Sequence, residues 1–69
     1  MSQKTTLIEA ANACGEACAL LARYRAMLSV AANLEAPVVE RAIIEIRRTA
    51  SSLECAAIAL ASAKREVAA

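Results

Sequence analysis

Between Leu7 and Val67 a single residue, Pro37, forbids continuation of a helix, and on each side of it apolar residues recur in alternating steps of three and four. That pattern admits few folds. Proline has no amide hydrogen and biases the preceding Ala36 toward extended geometry, so it suits the first position of a second helix entered from a short turn. The rest of the chain carries nineteen alanines, one glycine and no Phe, Trp or His. Ala, Leu, Glu and Arg lose little freedom on entering a helix, whereas nothing in this composition favours strands. The chain reads as all-α: an antiparallel two-helix hairpin, with helix 1 over 7–33, a turn over 34–36 and helix 2 over 37–67.

The start of helix 1 looks like a capping box, Thr6 to Glu9, in which hydroxyl and carboxylate would satisfy each other's backbone amides. From there Ala10, Ala13, Ala17, Leu20, Tyr24, Met27, Ala31 and Leu34 form one stripe without a polar member. On helix 2 the matching stripe runs from Val39 through Ile43, Ile46, Ala50, Leu53, Ala57 and Leu60 to Val67. These two stripes are expected to face each other, with Leu20, Tyr24 and Met27 against Ile43, Ile46 and Leu53.

A hairpin hides one stripe per helix, and this chain has more apolar surface than that. Leu21 and Leu28 flank the helix 1 stripe, while Ile44 and Ile58 lie roughly opposite the helix 2 stripe. Each such side chain forfeits about 1.5 to 3 kcal/mol if left in water. A chain of 69 residues is also in the size range where a single core is marginal. These four residues are therefore the expected partner-binding surface, covered by a second copy that completes a helical bundle or by a different protein in a small hetero-complex.

Eight basic and seven acidic residues leave a net charge of +1, which offers no field for a nucleic acid or an anionic membrane. Arg41, Arg47 and Arg48 make helix 2 locally basic, so a dimeric hairpin that sets them against an RNA backbone is one alternative. Interleaved Glu40, Glu45 and Glu54 favour a solvated face of intrahelical pairs instead. Charges interrupt every apolar run long enough to span a bilayer, and Glu9 falls where a signal peptide would need an unbroken apolar core. The chain reads as cytoplasmic, with reduced thiols.

The segment "NACGEAC" places Cys14 and Cys18 one helical turn apart. Two thiolates at that spacing could clasp Cu(I) or supply half of a tetrahedral Zn(II) site, with Cys55 as the one further thiol and no histidine to complete the set. A disulfide between them is disfavoured, because i,i+4 side chains stand about 5 to 6 Å apart at Cβ and a bridge needs about 3.5 to 4.5 Å. The other reading is that they are small buried hydrophobes, the usual role of free cysteine. Gly15 between them costs a helix about 1 kcal/mol relative to alanine, and would be explained either by close approach of a partner backbone or by simple tolerance. Tyr24 lies between two arginines with no group that would make it an acid or base, and no nucleophile, phosphate loop or general base appears elsewhere. The expectation is a non-enzymatic chain without cofactor.

The segments "ALLARYRAML" and "IIEIRRTASSLECAAIAL" resemble the small helical-hairpin co-chaperones that hold type III secretion needle subunits soluble. In that family the second helix carries an aromatic or aliphatic pair followed by a Leu-Glu-small-residue step, and here Ile43, Ile46, Leu53, Glu54, Cys55 and Ala56 occupy comparable places. The resemblance implies a heterodimeric role with a larger helical-repeat chaperone and a needle subunit. At the turn the family tends to have glycine, where this chain has "NLEAP". The Cys-x3-Cys pair is also similar to those of cysteine-rich copper-storage bundles, at far lower density.

Overall fold

A computed structural model describes residues 3–68 and contains two helices, α1 (Gln3–Ser29) and α2 (Pro37–Ala68). They run antiparallel as a hairpin measuring 53 × 15 × 14 Å over its Cα atoms. The expected all-α hairpin is therefore what forms. Helix α1 begins and ends four residues before the expected 7–33, whereas α2 begins at Pro37 as expected. Thr6 does not cap the first turn. It lies inside α1 and is buried in the interhelical seam, because helical geometry extends back to Gln3.

The turn shows why α1 stops early. The Ser29 hydroxyl donates to the Ala26 carbonyl at 2.8 Å, and the amides of Val30 and Ala31 donate to Met27 and Leu28 at 3.4 and 3.2 Å. These i to i−3 bonds tighten the last turn and satisfy carbonyls that a helix end otherwise leaves open. Asn33 then accepts the Glu35 amide on its side-chain oxygen at 3.0 Å, a local bond that competes with helix. The Ala36 carbonyl receives the amides of Val39 and Glu40 at 2.9 and 3.3 Å, so α2 opens with Pro37 where no amide is wasted. No non-glycine residue has positive φ among the described residues, which explains how "NLEAP" turns the chain without glycine.

The buried seam is made of small side chains. On α1 it comprises Thr6, Ala10, Ala17 and Tyr24, with Ala13 and Leu20 half-buried between them. On α2 the only fully buried residue is Ala42, at 2% exposure, followed by half-buried Glu45, Thr49, Ala56 and Ala63. This corrects the expected α2 stripe by one residue. Ile43 and Ile46 remain 49% and 39% exposed and Met27 is likewise exposed, while Val39 and Leu53 of the expected stripe are half-buried, as Thr49 and Ala56 are. The physical reason is size matching. Tyr24 is the one bulky side chain in the buried seam, and the other buried positions are small, which leaves room for it as a row of isoleucines would not. Alanine rows also let two helix backbones approach closely, while the wider isoleucine and leucine row is turned to one side.

Gly15 lies on the outer side of α1, and a Cβ added there meets nothing within 4 Å. Close approach of α2 therefore does not explain it. Gly15→Ala is expected to stabilise the hairpin by about 1 kcal/mol through helix propensity, read as a higher midpoint in chemical denaturation with unchanged slope.

Candidate functional site

With 100° between successive helical residues, the α2 stripe displaced from the seam can be followed around the molecule. Val39, Ile46, Leu53, Leu60 and Val67 are spaced by sevens, and Ile43, Ala50 and Ala57 interleave with them in steps of three and four. They form a complete second seam about 90° from the first. Helix α1 carries a counterpart: Leu7, Cys14, Leu21 and Leu28 by sevens, with Ala11, Cys18 and Arg25 between. In an antiparallel hairpin these flanks fall on the same side. The structure bears this out where the grooves can be read: Leu7 of α1 and Leu60, Lys64 and Val67 of α2 line one groove.

The opposite side carries the charges, among apolar residues that include Leu20, Met27 and Ile44. Glu16 and Leu20 share a groove there with Arg48 and Ser52, and Glu9 shares another with Ser52 and Cys55. Glu45 stands between two arginines, 3.9 Å from Arg41 and 4.0 Å from Arg48. Exposed pairs of this kind contribute little to stability, about 0 to 1 kcal/mol. The Arg23 guanidinium lies 5.6 Å from the centre of the Tyr24 ring, closing the turn end of this side. Arg47, one residue from Arg48, is rotated by about 100° and does not join Arg41 and Arg48. Hence the three arginines do not converge into one patch that could follow a phosphate backbone.

The four residues expected to bind a partner are all exposed, but they divide between the two sides. Leu21 and Leu28 belong to the apolar side. Ile44 lines a groove with Arg41, Glu45 and Arg48, and Ile58 points outward from α2. What sequence reasoning missed is the exposure of Ile43 and Ile46: assigned to the intrachain seam, they stand open on the same flank of α2 as half-buried Leu53. The available signal was that α2 has two adjacent stripes at helical spacing, one bulky and one small.

All three cysteines are exposed, which corrects the reading of Cys14 and Cys18 as buried hydrophobes. The seam of α1 passes through Ala10, Ala13 and Ala17, and both thiols lie about a quarter-turn or more away from it, Cys14 well within the apolar flank and Cys18 at its outer edge. Cys55 lies on the charged side, in the groove with Glu9 and Ser52. No group of three or more His, Cys, Asp or Glu side chains placed to hold a metal ion occurs among the described residues. Nor is any helix among them long and apolar enough to cross a membrane.

Comparison with known proteins adds no relative. No family model, curated protein or solved structure matches this chain.

The exposed area measures how much remains uncovered. The chain presents 5435 Å² of accessible surface. Scaling for folded monomers gives about 4,100 Å² at 7.2 kDa, so the excess is about 1,300 Å². Part of that excess reflects the rod shape. Among the described residues, thirteen large hydrophobic side chains stand at least a third exposed, so much of it is apolar.

Proposed function

We propose that this chain is a non-enzymatic protein-protein interaction module, acting through the apolar side formed by Leu7, Leu21 and Leu28 of α1 with Ile46, Leu53 and Leu60 of α2. One observation carries the reading: the bulkiest apolar stripe in the sequence is not the stripe the hairpin uses to hold itself together. A seam at coiled-coil spacing, with Ile43, Ile46, Leu60 and Val67 exposed along a 32-residue helix, has the form of a docking surface for further helices. The type III secretion co-chaperone role stays within this proposal, since a co-chaperone hairpin would present such a face to its partner chaperone.

The experiment is sedimentation of the purified chain across a range of concentration, together with binding of a dye that fluoresces on apolar surface. A mass above that of one chain, or a monomer that binds the dye strongly, supports a surface made to be covered. A compact monomer at high micromolar concentration that leaves the dye dark would overturn the reading.

A further inference from the structure

Resting on that reading, the geometry points to a specific occupant: we infer that the apolar side is covered by a second copy of this chain, in an antiparallel four-helix bundle with the two turns at opposite ends. In this arrangement α1 packs on the partner's α1 and α2 on the partner's α2, about a two-fold axis perpendicular to the helices at the level of Cys18 and Ala50.

Four observations select it. The first is angular. In a square bundle each helix contacts two neighbours in directions about 90° apart, and both helices here carry two seams separated by that angle. The second is area. On the one face Leu7, Leu21, Leu28, Ile43, Ile46 and Leu60 stand between 36% and 61% exposed, apolar area that a second copy presenting the same face would cover.

The third is register. The intrachain grooves place Ala17 beside Thr49 and Ala10 beside Ala56, so Cys18 and Ala50 lie within about two residues, or about 3 Å, of the same level. A two-fold axis there brings Ala50 against the partner's Ala50, a small pair that permits close approach. It sets Ile43 over the partner's Ala57 and Ile46 over the partner's Leu53. On α1, small Cys14 meets the partner's Leu21, Leu7 meets the partner's Leu28, and the stem of Arg25 lies over the partner's Ala11. Large residues therefore oppose small ones or complete an aliphatic layer throughout.

The fourth is charge. On the outer edge of the α2 seam, Arg47 comes within reach of the partner's Glu54, and the two-fold repeats the pair. Lys64, the one charged member of that seam, lies level with the partner's Ala36, just beyond the start of the partner's α2 at its Pro37, and so presses on no apolar residue of the partner's seam. Shifting the axis half a heptad, to the level of Leu53, would instead set Glu54 almost opposite the partner's Glu54 and press Lys64 against the partner's Ile43. Placing both turns at the same end would bring Lys4 near the partner's Lys64 and leave Arg47 without an acidic partner.

The cysteines make the arrangement testable, because Cys18 stands beside the axis and Cys55 lies on the charged side away from it. Two full-length variants each keep one of these thiols: Cys14→Ser with Cys55→Ser, and Cys14→Ser with Cys18→Ser. Each is treated with a short bis-maleimide at micromolar concentration, after circular dichroism has shown it helical. The expected result is a covalent dimer from the Cys18 variant in a yield at least tenfold above that from the Cys55 variant. Separately, Arg47→Glu should weaken self-association at least tenfold, and adding Glu54→Arg should recover most of the loss. Equal cross-linking of the two variants, or no recovery in the charge exchange, would overturn this arrangement. A monomer that binds apolar dye would overturn self-association while leaving the interaction module standing, and a monomer dark to the dye would remove both.

Discussion

Tyr24→Ala is expected to unfold the hairpin. Tyr24 is the only aromatic residue and the only large side chain in the core, 4% exposed among alanines. Its ring lies at the turn end, in a groove with Met27, Pro37 and Val38, where it locks α1 to the first turn of α2. Replacing a buried aromatic with alanine costs about 3 to 5 kcal/mol, because the surroundings collapse only partly into the space. A chain of 69 residues has a total stability of about 3 to 10 kcal/mol at the usual 0.05 to 0.15 per residue. The loss therefore consumes a large part of what is available. Far-ultraviolet circular dichroism should show the variant largely unfolded at low micromolar concentration, while Tyr24→Phe, which keeps the ring, should lose no more than about 1.5 kcal/mol. A Tyr24→Ala variant that melted like the parent would mean that the alanine seam holds the helices together without the ring.

The second large effect concerns association. Leu53→Asp is expected to reduce self-association by more than a hundredfold while the single hairpin remains helical. Leu53 is half-buried against α1 and otherwise open on the apolar side, so a lone hairpin can turn a carboxylate there toward water. Once a second surface covers it, the same carboxylate loses hydration with no cation beside it, a penalty of several kcal/mol per ion, and each 1.4 kcal/mol is tenfold in affinity. Ile58→Asp is the matched control. It introduces the same charge at an exposed isoleucine on the outward surface of α2, away from the seam, and sedimentation should find its mass unchanged. If Ile58→Asp dissolved the assembly and Leu53→Asp did not, the docking surface would lie on the other side of the molecule.

The contrast between those two residues shows how far periodicity can be taken. Spacing in threes and fours marks every position on a helical stripe, but α2 carries two such stripes, offset by one residue. Hydrophobicity favours Ile43 and Ile46 as the seam; the chain instead buries Ala42 and half-buries Thr49 and Ala56 together with Leu53. A stripe holding a glutamate and a threonine looks like a rim in one dimension. Folded, Glu45 still reaches the arginines outside, and the Thr49 hydroxyl donates to the Glu45 carbonyl at 2.8 Å, so neither brings an unmet polar group into the seam. Cys14 and Cys18 were read as small buried hydrophobes, and the folded hairpin leaves both exposed.

Local chemistry was enough to establish two helices, their antiparallel order and the entry of the second at Pro37. Helix propensity and the geometry proline imposes both act within a few residues. Which flank of each helix is enclosed, and so which apolar residues are left over to bind something else, was decided only when the two rods came together. That choice depends on how closely the backbones can approach and on what volume faces Tyr24, properties of a pair of surfaces that neither helix possesses alone.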